Sequence, residues 1–206
     1  RIDVRWYNVK KLFIRILSII ITVSLVLVST ALPVFAKGMP VEIKSEAAIL
    51  IDVNTGRVLA AQQEHKRVYP ASVTKIMSLL LVAEAIDAGR IQFDTEVTAS
   101  HDACAKGGSQ IWLKEGEVMT VDELLRASFI ASANDACAAL AELVAGSETA
   151  FVQMMNDRAA ELSMKDTYFE NCTGLDDDTE KHLTSAYDIA IMSRELLKHK
   201  WVTRYS

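Results

Sequence analysis

Ser72 and Lys75 stand three residues apart in YPASVTKIMSLLLVAEAIDAG, Tyr69 to Gly89, an otherwise almost wholly apolar stretch of helical character. Side chains at that spacing share a helix face, so the hydroxyl and the amine can meet. Such a pair can do nucleophilic chemistry. A serine hydroxyl is a weak nucleophile until a base takes its proton, and a lysine serves as that base when burial or neighbouring positive charge lowers its pKa toward neutrality. The helix N-terminus adds partial positive charge near Ser72 and favours a developing alkoxide. The bland account is a capping serine and a snorkelling lysine. About one Ser-x-x-Lys is expected by chance in a chain of this length at average usage, so the spacing alone decides nothing.

A second polar constellation is SAND, Ser132 to Asp135, between two helical runs in FIASANDACAALAELV. Ser132 and Asn134 are two apart in a short connection, where both side chains can face one cleft. Its bland account is an N-cap for the helix that follows. The conjunction says more than either part: Ser-x-x-Lys and then Ser-x-Asn, about 60 residues further on, each at a helix start.

The elements that must position these residues can be read around them. AAILIDVNTGRVLAAQQ holds two β-type runs, Ala47 to Val53 and Arg57 to Ala61, joined by Asn54-Thr55-Gly56, which is a hairpin signal. The helix carrying Ser72 and Lys75 is expected to start near Pro70, suited to a first helical position, and to stop at Gly89. Its apolar residues lie on nearly every side, which implies burial on most faces and a polar cleft at its opening turn. Further helices are expected at Val121 to Phe129, with Thr120 and Glu123 as a capping box, and at Asp135 to Val144, ending at Gly146. Two more are expected at Glu148 to Leu162 and at Ala186 to Lys198. The pattern is α+β: a hairpin followed by a helical body.

The 206 residues are half apolar, enough for a core. Residues 1–36 read as a signal peptide or signal anchor: Arg1, Arg5, Lys10, Lys11 and Arg15 against Asp3, then the apolar run Ile16 to Ala36. Val34 and Ala36 suit a cleavage before Lys37, and Pro33 would break a helix there. The run is also about as long as a membrane span. Either way residue 37 onward is exported across a membrane, with 37–45 as a linker. The leader holds five of the 22 Lys+Arg and one of the 27 Asp+Glu, so the remainder carries 17 bases against 26 acids, net −9. That balance disfavours nucleic acid and anionic lipid. Cys104, Cys137 and Cys172 form neither a disulfide scaffold nor a zinc pattern; buried or idle thiols are expected, and one disulfide fits an oxidising compartment. His65, His101, His182 and His199 show no triad pairing and are expected at surface or loop positions. Asp176-Asp177-Asp178 lacks calcium-loop spacing and reads as a solvated loop. Tyr69 and Trp112 are expected to pack.

Residues 46 to 198 resemble the serine D-alanyl-D-alanine carboxypeptidases, low-molecular-mass penicillin-binding proteins. PASVTKIM is similar to that family's nucleophile motif and SANDAC to its second motif. GGSQIWLKEGE, AFVQMMNDRAAELSMKDTYFENCTGLD and HLTSAYDIAIMSREL resemble its connecting segments. The resemblance implies the fold shared by serine β-lactamases and penicillin-binding proteins, here its hairpin and helical part within a partial catalytic domain at 46–206. It implies a peptidoglycan stem peptide ending in D-Ala-D-Ala as substrate, β-lactams as covalent inhibitors and no cofactor or metal. In that reading Ser72 attacks the penultimate D-alanine carbonyl, Lys75 takes its proton, Ser132 relays a proton to the leaving amine, and Asn134 bonds Lys75 and the substrate amide. The backbone N–H of Ser72 would give one arm of an oxyanion hole. The family's third motif, Lys-Thr-Gly on a strand, is absent; Lys106-Gly107-Gly108 precedes Ser132 and is expected in a loop. The chain, whose first residue is Arg, is therefore expected to be the front portion of a longer protein whose remaining sheet strands lie beyond Ser206. Two rival functions are a class A-like β-lactamase, for which no Glu-x-x-Asn segment is found near Glu170, and a penicillin-binding sensor or scaffold without turnover.

Overall fold

The computed structural model describes residues 11, 13–19, 37–38, 42–175 and 179–205. The chain divides into two units, Arg1–Ala36 and Lys37–Ser206. In the first, residues 13–19 are helical, and most of the leader, with its cleavage positions Val34 and Ala36, lies outside the described residues. Among the described residues no helix is long and apolar enough to cross a membrane.

The second unit opens with a three-stranded sheet: β1 (Lys37–Gly38), β2 (Ala48–Ile51) and β3 (Val58–Gln62), in the order β1-β3-β2. β2 and β3 form the expected antiparallel hairpin, Ala48 opposite Gln62, while β1, within the stretch read as a linker, pairs in parallel with β3. The turn is held by its own side chains: Asp52 Oδ1 accepts from Thr55 N and Oγ1. Gly56 adopts φ +74°, and a Cβ there would come within 2.7 Å of Arg194 Nη1. Arg194 donates to the carbonyls of Val53 and Asn54 and so fastens the turn to the last helix.

The body is helical: α1 (Lys75–Asp87), α2 (His101–Cys104), α3 (Val121–Ile130), α4 (Asn134–Ala145), α5 (Glu148–Glu161) and α6 (Ala186–Leu196). α1 is buried on nearly every side, through Met77, Leu79, Leu80, Leu81, Val82, Ala83 and Ala85, and packs against α4, α5 and α6. It is the axis of the core. α3, α5 and α6 start on side-chain caps that the sequence displays, whereas the Ala133 N-cap of α4 makes no side-chain capping bond. Thr120 and Glu123 make the capping box of α3, Ser147 caps α5 and Ser185 caps α6, while Gly146 at φ +81° ends α4.

Besides β1 and α2, three features depart from the expected elements. The first turn of the Pro70 helix is a separate 3-10 turn, Ala71–Thr74, entered through Ala71 at φ +46°. A two-stranded ribbon of β4 (Glu96–Thr98) and β5 (Val118–Thr120) and a closing 3-10 turn (Val202–Tyr205) also appear. The ribbon strands have three residues each, too few to show alternation in a sequence.

Candidate active site

Ser72 is exposed in the 3-10 turn, while Lys75, one turn on, opens α1 and is 3% exposed. The change from 3-10 to α geometry thus separates an exposed hydroxyl from a buried amine. Lys75 Nζ lies 3.0 Å from Ser72 Oγ, 3.4 Å from Ser132 Oγ and 3.1 Å from the Thr173 carbonyl oxygen. Three partners match the three protons of an ammonium. After loss of one proton, the freed lone pair can accept from a serine hydroxyl while the Thr173 carbonyl still holds the amine. Burial pushes the Lys75 pKa below the ordinary lysine value, against a smaller opposing pull from Cys137 and Cys172.

Ser132 sits at the end of α3 with φ +54°, a conformation that costs a non-glycine residue of order 1–3 kcal/mol. The strained turn directs its hydroxyl at Lys75. Asn134, 3% exposed at the head of α4, donates from Nδ2 to the Gly107 carbonyl at 2.7 Å, and its N–H donates to the Ser109 carbonyl. The Lys75 contact implied for Asn134 by the family resemblance is not among its hydrogen bonds: the amide is turned to the 107–109 loop instead. Its Oδ1 is buried without a partner among the described residues. The reversed amide would set Oδ1 against the Gly107 carbonyl, so the free acceptor is fixed by the loop. Asp135 next to it is fully buried and accepts from Ile111 N and Leu113 N, which pins the loop on either side of Trp112.

The floor of the site comes from 170–175, which lies outside both motifs. Asn171 Oδ1 accepts from the backbone N–H groups of Thr173 and Gly174, and this local turn presents the Thr173 carbonyl to Lys75. Gly174, at φ +85°, packs so tightly that an added Cβ would fall 1.7 Å from the Ala71 carbonyl oxygen. Lys106-Gly107-Gly108 is in a loop, as its order in the chain suggested, and Lys106 pairs with Glu148.

One side-chain expectation is corrected, and a second, for the histidines, is met by His182 through its loop position although the residue is buried. Trp112 is 76% exposed and Tyr69 58%, so neither packs. Trp112 is held outward at φ +64° by the Asp135 clamp, and Tyr69 alternates outward between half-buried Val68 and buried Pro70. His182 is 2% exposed, not superficial: its Nε2 lies 2.7 Å from Thr74 Oγ1, and its Nδ1 accepts from Glu170 N–H. No spacing signal linked it to Thr74, 108 residues away. Cys104, Cys137 and Cys172 are free thiols, the last two buried. Asp176, Asp177 and Asp178, expected as a solvated loop, lie outside the described residues.

The D-alanyl-D-alanine carboxypeptidase family profile matches residues 34–206. The chain is 48% identical over 163 residues to D-alanyl-D-alanine carboxypeptidase DacF of Bacillus subtilis, covering 79% of this chain and 41% of that protein. Among solved structures it is similar to penicillin binding protein 6B from Escherichia coli, with TM-score 0.74 and 42% identity over 80% of this chain and 53% of the other. It is also similar to a penicillin-binding protein from Listeria monocytogenes in its ampicillin-bound form, with TM-score 0.70, 26% identity and coverage of 80% and 66%. The chain spans about two fifths of the length of the curated relatives it matches. With the profile matched across most of its residues, the chain belongs to the D-alanyl-D-alanine carboxypeptidase family.

Proposed function

We propose that this chain carries the nucleophile half of a serine D-Ala-D-Ala carboxypeptidase site. The observation that carries the reading is a buried lysine of lowered pKa 3.0 Å from an exposed serine hydroxyl. Ser72 Oγ attacks the carbonyl carbon of the penultimate D-alanine of a peptidoglycan stem peptide while Lys75 Nζ, uncharged, takes the hydroxyl proton. The Ser72 N–H supplies one donor to the oxyanion. As the intermediate collapses, the C–N bond to the terminal D-alanine breaks, and a proton passes from Lys75 through Ser132 to the leaving nitrogen, a route that the 3.4 Å separation allows. Asn134 Oδ1, buried and without a partner among the described residues, would take the substrate amide N–H once its side chain turns toward the cleft. Water then hydrolyses the Ser72 ester.

A β-lactam presents the same carbonyl and would acylate the same oxygen; the ampicillin-bound relative supports this. Its leaving nitrogen stays tethered, so the adduct would be long-lived. Action on the cell wall places the catalytic unit outside the cytoplasmic membrane, with the leader as its export signal or anchor.

The test is mass spectrometry of the product of the whole reading frame after penicillin treatment, together with D-alanine release from a peptide ending in D-Ala-D-Ala. A single adduct on Ser72 and release of D-alanine are expected, and Ser72→Ala should lose both. Undiminished labelling of Ser72→Ala would sink the proposal.

A further inference from the structure

His182 is a fully enclosed histidine that the mechanism above does not use, and its hydrogen bonds fix its chemical form. The backbone N–H of Glu170 points at Nδ1 at 3.0 Å, so Nδ1 must carry a lone pair. A neutral ring then has its proton on Nε2, and that N–H donates to Thr74 Oγ1 at 2.7 Å. Thr74 lies inside the 3-10 turn between Ser72 and Lys75 and is wholly buried.

The geometry gives this bond a purpose. The turn of Ser72 meets residues 173, 174 and 182 at three places: Lys75 Nζ on the Thr173 carbonyl, Thr74 on His182, and Gly174 against Ala71. His182 and its neighbour Lys181 also bond back to Glu170. The imidazole receives Glu170 N–H while Glu170 Oε2 accepts from Lys181 N at 2.7 Å, and the ring lies edge-on to Phe169 with centroids 5.8 Å apart. Flanking bridges, Tyr168 to Leu183 and Val68 to Thr184, hold the backbone beside His182. One imidazole therefore joins the turn bearing Ser72 to the stretch that presents the carbonyl to Lys75.

We infer that His182, as the Nε2–H tautomer, is a positioning residue for acylation, setting the 3-10 turn of Ser72 and Lys75 against the Thr173 carbonyl through Thr74. The inference rests on the acyl-enzyme reading of Ser72. Removing the bond leaves every reacting group in place but frees the turn to rotate, and small misplacements of reacting atoms are costly in rate.

The test measures penicillin binding and the acylation rate constant separately, per folded molecule and well below the melting temperature, in the product of the whole reading frame. His182→Ala and Thr74→Val should each lower the acylation rate constant roughly tenfold or more, with binding changed less than about threefold. The double variant should be no slower than the slower single one, because both remove the same contact. His182→Gln, whose amide can still donate to Thr74, should recover most of the rate. Since His182→Ala can fail to fold, Thr74→Val and His182→Gln decide the matter without it. Acylation by Thr74→Val at the wild-type rate, or independent effects that multiply in the double variant, would overturn the inference. Nitrogen-15 NMR at neutral pH reads the tautomer directly and needs no turnover: an Nδ1–H or doubly protonated His182 refutes the positioning bond. Failure of wild-type labelling would refute the Ser72 reading, a different result from labelling that ignores Thr74 and His182.

Discussion

Lys75 combines a buried position with three hydrogen-bond partners, and the balance between them sets its chemistry. Desolvation disfavours the ammonium more than the neighbouring thiols restore it, so its pKa is lowered. In the proposed mechanism acylation requires the free amine. Its rate should therefore rise with pH through the Lys75 pKa, with a midpoint below the ordinary lysine value of 10.5. Acylation rate against pH, measured with a neutral β-lactam ester so that ligand charge does not intrude, checks this. A midpoint at the ordinary lysine value would show that the amine is not acting from its buried state. The pairing of Ser72 with Lys75 and the place of Ser132 were legible from residue types and spacing. The Thr173 carbonyl and His182 were not, because a main-chain oxygen has no residue signature and a histidine 108 residues from its partner shows no periodicity.

Among the secondary-structure elements, the site depends on contacts between turns rather than on helix propensity. Gly174→Ala must move either its own backbone, at φ +85°, or the Ala71 carbonyl that its Cβ would meet at 1.7 Å. Denaturant titration should show a loss of roughly 3 kcal/mol, with acylation of the surviving folded fraction also slowed, since Ala71 adjoins Ser72. Thr120→Ala is the contrast. It breaks the capping box of α3 at the far end from Ser132 and should cost about 1 kcal/mol with the acylation rate unchanged. If both variants slowed acylation equally, the site would be sensitive to overall stability and not to the Ala71–Gly174 contact. The helices were readable because caps and apolar periodicity are local signals. The 3-10 turn was not, because Ala71 takes a positive φ that alanine does not favour and that closely packed neighbours impose.

Across the second unit as a whole, the last described turn is tied back to the middle of the body. Tyr205 Oη donates to Asp122 Oδ1 at 2.6 Å, and the ring stacks on Phe129. Burial and the Asp122 carboxylate push the Tyr205 pKa up to about 12. A folded-state pKa above the unfolded value of 10.0 means that the native state keeps its proton longer. The contribution is then fully present below the unfolded value and is lost as pH rises toward about 12. The urea midpoint should fall across that window, and Tyr205→Phe should flatten the fall; an unchanged slope would remove Tyr205 as its cause. Residue types and short-range spacing were enough to suggest the Ser72–Lys75 pairing, the helix boundaries set by caps and the α+β class, while the family came from the resemblance of whole motifs. They were not enough to turn Asn134 to Gly107, to face Thr173 to Lys75 or to bury His182 against Thr74. Each of those contacts joins segments distant in the chain, and only packing, which takes one partner out of water with the other, fixes them.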